Sequence, residues 1–287
     1  MTQFVRTLAL FLCLLFAVWV GVSSFRALFL SAALSDVVKS SMQGAKGKYA
    51  IVIKNLKTNE TYMQNERDWF QSASLYKLWV MAAVFEQMKE GSIEKNEVLH
   101  EDIAKLNEAF EIASEEAELK EGDITLTISN ALDQMITISH NYAALLLSKQ
   151  VGNNNVAKVL STYGLKKSDY ASPPKTTALD TALFFEKLYK GKIVDKVSSD
   201  AMLDLLKKQQ INDRIPKYLP KDVQVAHKTG EIGWFKHDAG IVFKPKGDYI
   251  FVVLSESDSP PGAAERIAKL SQAVYGYFVT KQSFLGF

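Results

Sequence analysis

Hydrophobic and polar positions divide the chain into stretches of different period. The first, "TLALFLCLLFAVWVGVSSF" at residues 7–25, is apolar on every side over about the twenty residues that carry a helix across a bilayer. A secretory signal has an apolar core of roughly 7–15 residues and a small-residue cleavage site. Here the run is longer and the only passable site is "SAA" at 31–33, so residues 1–30 are expected to be an uncleaved membrane anchor, with a cleaved signal as the alternative.

Beyond residue 34 the pattern becomes that of a folded domain. Residues 34–42 suit a short helix, and "KYAIVIKN" followed by "LKTNETYMQ" predicts a hairpin with its turn around residues 58–60. An apolar helix is predicted from near Ser74 to Gly91, a good C-terminal cap. Residues 101–210 read as mainly helical, in "NALDQMITI", "YAALLLSKQVG", "NNVAKVLSTYG", "TTALDTALFFEKLYKG" and "SSDAMLDLLKKQQ". Thr177 with Asp180 marks the start of the fourth and Gly191 its end. Three strands close the domain, "DVQVAHKTG", "DAGIVFKP" and "DYIFVVLSE", and a final amphipathic helix follows Pro260 and Pro261. Strands at both ends with helices between them predict an α+β fold. One antiparallel sheet would be assembled from about 34–70 and 221–287, with a helical lobe at about 74–210 inserted into it. A cleft where the two parts meet is the expected place for a site.

Composition narrows the function. A chain of 287 residues with a net charge of +2 and no basic block or aromatic-basic stripe gives no electrostatic footprint for nucleic acid. The single cysteine, Cys13, lies inside the N-terminal apolar run, so the domain that follows has no disulfide. Four histidines, at 100, 140, 227 and 237, show no metal-ligand spacing, and there is no glycine-rich phosphate loop and no G-x-S-x-G elbow. No metal or cofactor is expected.

The chemistry starts with a misplaced charge. Lys77 sits in "SASLYKLWVMAAVF", where Leu75, Leu78, Trp79, Val80 and Met81 leave almost no polar face. A helix apolar all round is buried, and a buried ammonium is costly unless it is paired or gives up its proton. Ser74 stands three residues earlier, which places the two side chains together on a helix. A serine hydroxyl is a weak nucleophile until a neighbouring base removes its proton. Bringing a lysine from its ordinary pKa to about 7 costs roughly 4–5 kcal/mol. Burial, the positive end of a helix and a second cation nearby all act in that direction. Two other Ser-x-x-Lys matches, Ser92/Lys95 in a polar turn and Ser172/Lys175 across two prolines, lack that setting.

Two further stretches read as ordinary structure when taken singly. In "MITISHNYAALLL", Ser139 and Asn141 fall in a turn between helices, where both residue types commonly serve as caps. In "VQVAHKTGEIGW", a β-branched strand runs into Lys228, Thr229 and Gly230. Gly230 would allow close approach of a ligand backbone, and Lys228 could hold an anion or be the second cation near Lys77.

In this order the three stretches resemble the S-x-x-K, S-D-N and K-T-G triple of penicillin-binding proteins and class A β-lactamases. The sequence is most similar to the class A-like serine hydrolases, over residues 47–278, including "WFQSASLYKL", "NDRIPKYLPKDVQVAHKTG" and "HDAGIVF". The resemblance implies a single serine β-lactamase-like domain over 34–287. Within it Ser74 would be the acylated nucleophile, Lys77 its general base and Ser139 a relay of the proton to the leaving nitrogen. Asn141 would hold the substrate's side-chain amide, and Lys228 and Thr229 its carboxylate, on the edge of the strand ending at Gly230. The backbone N–H groups of Ser74 and Glu231 would form the oxyanion hole. Expected partners are a β-lactam or a D-Ala-D-Ala-type peptide, met on the extracytoplasmic side of a membrane. The chain departs from the family pattern twice. His140 stands where class A enzymes usually have aspartate, and the short loop "GLKKSDYASPPKT" has no glutamate to activate a deacylating water, Asp169 being its only carboxylate. A D,D-peptidase, or a non-enzymatic β-lactam sensor or binding module, are the alternative readings.

Overall fold

The computed structural model of the chain describes residues 33–244 and 247–285. The apolar stretch expected to be a membrane anchor therefore lies outside the described residues, among which no helix is long and apolar enough to cross a membrane.

A five-stranded antiparallel sheet forms the centre. Its strands are β1 (Lys48–Asn55), β2 (Thr61–Gln64), β7 (Val225–Ile232), β8 (Phe235–Val242) and β9 (Tyr249–Glu256), in the order β2-β1-β9-β8-β7. Alternation explains how both faces are covered. Ile51, Ile53, Phe251 and Val253 point to one face, where they pack with Leu34, Val38, Ile267 and Leu270 of the terminal helices α1 (Leu34–Met42) and α9 (Pro260–Leu285). Ala50, Val52, Ile250 and Val252 point to the other and join the core of the helical part. Strands buried on both faces read as the continuous apolar runs seen in "YAIVI" and "YIFVVL".

The helical part contains α2 (Lys77–Glu90), α3 (Ile103–Ala109), α4 (Ile128–Thr137), α5 (Asn141–Val151), α6 (Asn153–Thr162), α7 (Ala178–Tyr189) and α8 (Lys196–Leu206). Gly91 ends α2 in the left-handed conformation at φ 73°, as its place in the sequence predicts. The Thr177 side chain accepts the Asp180 N–H at 3.1 Å and starts α7.

Two features differ from the expectation of a purely helical insertion. Strands β4 (Val98–Asp102) and β5 (Asp123–Thr127) form a two-stranded ladder, and the two-residue strands β3 (Phe70–Gln71) and β6 (Lys175–Thr176) form another. Each is short and its partner lies far along the chain, so no local period announces it. The second pairing matters for the site, because it fastens the loop of residues 168–175 beside the segment that leads to Ser74.

Candidate active site

Ser74 lies on a 3-10 turn (Ala73–Tyr76) that runs directly into α2, one step removed from the α-helix expected there. The replacement keeps the geometry that matters, since residues three apart eclipse one another on a 3-10 helix. Ala73 has φ +46°, a left-handed conformation that a side chain with a Cβ adopts at a cost of about 1–2 kcal/mol. Surrounding contacts hold it there. The Ser72 N–H donates to Pro174 O at 2.8 Å, and the Leu75 N–H to Ser72 O at 3.1 Å. His237 fastens the preceding strand: its Nδ1 accepts the Ser255 N–H at 3.1 Å, so its proton sits on Nε2, which donates to Gln71 O at 2.8 Å. Burial pushes the His237 pKa down to about 4, which keeps that tautomer neutral.

Lys77 begins α2 and is fully buried. Its Nζ lies 2.6 Å from Ser139 O, 2.6 Å from Asn141 Oδ1 and 3.2 Å from Ser139 Oγ. Nζ donates in all three, most weakly to the hydroxyl, which is the contact that a neutral amine with two N–H groups gives up. Burial lowers the Lys77 pKa to about 7, against an opposing pull from the Glu118 carboxylate.

The turn before α5 delivers the other partners. Ser139 is held at φ +60°, a second left-handed non-glycine residue at the site. His140, in the place of the usual aspartate, keeps the capping role: its Nδ1 accepts the Ala143 N–H at 3.1 Å. The substitution changes the charge beside Lys77 and leaves the helix start intact.

Strand β7, at the free edge of the sheet, supplies the third wall. Lys228 is fully buried and donates to Ser139 Oγ and to Thr229 O, both at 2.9 Å. Burial, followed by repulsion from Lys77, holds its pKa well below the ordinary lysine range. Thr229 is buried beside it. At Gly230 an added Cβ would meet Ser72 O at 3.0 Å and Leu75 Cγ and His237 Cδ2 at 3.2 Å. The missing side chain thus lets β7 lie against the nucleophile turn. Hydrogen bonds bring four of the predicted residues, Lys77, Ser139, Asn141 and Lys228, together from three separate parts of the chain, and Ser74 stands three residues before Lys77 on the turn that leads into α2.

Glu231 stands apart in one respect, because its exposed carboxylate is held by Arg214 Nη2 at 2.7 Å and by Lys236 Nζ. No local pattern singles out Arg214, which lies within "NDRIPKYLP". Its guanidinium is fully buried, and Nε and Nη1 have no hydrogen-bond acceptor among the described residues, Nη1 being 3.3 Å from Asp213 Oδ1 without a hydrogen bond. The segment carrying it is fastened under the sheet: Asp238 accepts the Ile215 N–H at 2.9 Å and pairs with His227 Nδ1 at 2.9 Å. Glu118, in an acidic stretch of the helical part, also enters the site by accepting a hydrogen bond from Asn141 Nδ2. Neither residue has a local signal, since only the tertiary fold brings it to the cleft.

The loop that lacks the glutamate expected of class A enzymes is tied to itself. Asp169 Oδ1 accepts the Ala171 N–H at 2.9 Å, and the Asp169 backbone is bridged to Lys175. A cavity of about 490 Å³ lies beneath it, bordered by Tyr76, Ser148, Asp169 and Tyr170. No cluster of potential metal ligands occurs among the described residues.

A serine and a buried lysine on one turn, a Ser-His-Asn corner and a Lys-Thr-Gly edge strand, on an antiparallel sheet with a helical insertion, define a class A-like serine hydrolase. The chain belongs to the beta-lactamase enzyme family, whose model matches residues 30–278. It is 23% identical to the beta-lactamase VEB-1 of Pseudomonas aeruginosa over 276 residues, 85% of this chain and 90% of that protein. Among solved structures, a beta-lactamase from Sphaerobacter thermophilus superposes with a TM-score of 0.72 at 25% identity, covering 84% of this chain and 95% of that one. The structure of PBP-A superposes equally well, TM-score 0.72 at 22% identity over 86% and 96% of the two chains. A mutant of PBP-A is known as an acyl-enzyme complex with penicillin G.

Proposed function

We propose that the protein acylates Ser74 with β-lactams, using Lys77 as the base. The observation that carries this reading is the state of Lys77: fully buried, its pKa lowered to about 7, and bonded to Ser139 and Asn141 of the Ser-His-Asn corner. Neutral Lys77 takes the proton of Ser74 Oγ as that oxygen bonds to the lactam carbonyl carbon. The backbone N–H groups of Ser74 and Glu231 receive the developing oxyanion. As the C–N bond breaks, Ser139 passes its proton to the departing nitrogen and is reprotonated from Lys77. The hydroxyl of Ser139, within reach of both lysines, suits that relay. Asn141 binds the amide of the acyl side chain. Lys228, Thr229 and the field of buried Arg214 hold the substrate carboxylate along the free edge of β7.

A second reading, a D,D-peptidase acting on peptidoglycan peptides, is favoured by the loop of residues 164–176, whose one carboxylate is committed to its own backbone. Incubation with a fluorescent penicillin tests both. A band that is labelled and lost within minutes supports the β-lactamase reading, and a band that persists supports the peptidase. A protein left unlabelled, or still labelled after Ser74→Ala, contradicts the acyl-enzyme itself.

By the same reading residues 1–30 anchor the chain with its catalytic domain on the extracytoplasmic side. Full-length protein recovered in the soluble fraction after cell breakage would contradict this.

A further inference from the structure

Asn141 makes two hydrogen bonds of opposite polarity. Its Oδ1 accepts from Lys77 Nζ at 2.6 Å, and its Nδ2 donates to the carboxylate of Glu118. An amide facing an amine on one side and a carboxylate on the other has only one satisfactory orientation, because the flipped form would set Oδ1 against Glu118 Oε1 and Nδ2 against Nζ. One Nδ2–H remains for a substrate carbonyl. Glu118 comes from the segment between α3 and β5, anchored by Tyr142, whose hydroxyl accepts the Leu119 N–H at 3.0 Å and bonds Asn107 Oδ1 at 3.0 Å. The carboxylate is thus held from a buried point on α5, next to the corner it serves.

We propose that Glu118 is a positioning residue for the Ser74/Lys77 pair: through Asn141 it locks the amide in one orientation, and by its charge it sets how readily Lys77 gives up its proton. The proposal rests on the acylation chemistry proposed above and adds a group to it. The charged and titratable groups around Lys77 are Lys228 on β7, His140 ahead of α5, Tyr76 on its own turn, and Glu118. Among the described residues Glu118 is the carboxylate acting on Lys77, and it favours the protonated form that burial disfavours. The same charge pulls the pKa of His140 upward against burial and, less than burial does, raises that of Tyr76. Its function would be a compromise. A lysine stripped of its proton too easily is a weak base, and a carboxylate beside it restores basicity without occupying the space that substrate needs.

Two variants separate charge from support. Glu118→Gln keeps an acceptor for Asn141 Nδ2 and removes the charge; Glu118→Asp keeps the charge on a shorter arm. The Lys77 pKa is read in the resting protein by NMR titration of ¹³Cε-labelled lysine, and the acid limb of Ser74 acylation by stopped-flow with a chromogenic cephalosporin. Glu118→Gln is expected to move both midpoints downward by about 0.5–1 pH unit, the scale of a charge pair open to solvent on one side. Glu118→Asp is expected to leave both midpoints in place while slowing acylation several-fold. Unmoved midpoints in Glu118→Gln would overturn the proposal. Because the NMR titration needs no turnover, a wild-type protein that fails to react with any lactam contradicts the acylation reading, and the Glu118 assignment is still decided by the Lys77 signal.

Discussion

Lys77 and Lys228 share one hydroxyl: Ser139 Oγ lies 3.2 Å from the first amine and 2.9 Å from the second. Two fully buried lysines converging on one oxygen is an arrangement that stability alone disfavours, since each is desolvated and Lys228 is further opposed by the charge of Lys77. Positions Ala73 and Ser139, both at positive φ, store backbone strain at the same place. Strain and desolvation gathered at one corner of an otherwise apolar core mark where stability has been given up for chemistry.

The first consequence is a stability that depends on pH. Lys77 has an ordinary pKa of 10.5 that folding lowers to about 7, so between those values the unfolded chain carries a proton that the folded protein does not. Stability therefore rises with pH across that window, by up to about 1.4 kcal/mol per pH unit from this group, and the full penalty is present below pH 7. Lys77→Met removes the group. Urea denaturation at a series of pH values should show the variant gaining most over wild type at pH 7 and below, with the gain shrinking toward pH 10. A difference independent of pH would mean that Lys77 is not depressed.

His140 caps α5 while its imidazole sits near Lys77, whose charge helps lower the His140 pKa after burial. His140→Ala should cost about 1 kcal/mol through the lost cap. His140→Asp should restore that stability but place a negative charge beside Lys77, moving the acid limb of acylation to higher pH. Thermal melts and a pH profile of acylation separate the two effects.

Gly230 is the point where the edge strand touches the nucleophile turn. A Cβ there meets a backbone oxygen, Ser72 O, at 3.0 Å, so Gly230→Ala has to push β7 away from the turn that carries Ser74. The expected result is a loss of about 1–3 kcal/mol, as for other overpacked contacts, together with a slower acylation rate. Unchanged kinetics would show that the spacing between strand and turn is not critical.

Much of the framework is legible in the sequence because it is written in local periods and end signals. The sheet strands show as apolar runs, α2 ends at Gly91, and Ser74, Lys77, Ser139 and Asn141 stand where helices begin; Lys228 falls inside β7, which continues to Ile232 beyond the end expected at Gly230 because its ladder with β8 runs on to Phe235. The short ladders β3–β6 and β4–β5 are not legible, since Phe70 meets Thr176 and Leu99 meets Leu126 only after the chain has folded back. Glu118 and Arg214 are hidden for the same reason: a glutamate in an acidic loop and an arginine near prolines look solvated until tertiary contacts bring one to Asn141 and bury the other under β7.

Arg214 separates binding from folding. Its charge is buried with two nitrogens unsatisfied, and Glu231 retains Lys236 as a partner when it is removed. Removing one member of a buried ion pair is costly when the other charge stays buried, but the partners of Arg214, Asp213 and Glu231, are exposed, so its loss strands no buried charge and spares the desolvation of the guanidinium. Arg214→Met should therefore melt no lower than wild type, yet react at least ~10-fold more slowly with β-lactams that carry a carboxylate, the scale of one lost charged hydrogen bond. A variant that loses stability and keeps its rate would assign Arg214 a structural role.

The central claim, that neutral Lys77 activates Ser74, is tested most directly by the pH dependence of acylation with the adduct located by peptide mass spectrometry. The modified residue should be Ser74, with a rate that climbs about tenfold per pH unit and levels off near pH 7, the behaviour of a single base. Lys77→Ala should lose both the climb and most of the rate. An adduct on another residue, or a rate indifferent to pH and to Lys77, would contradict the account.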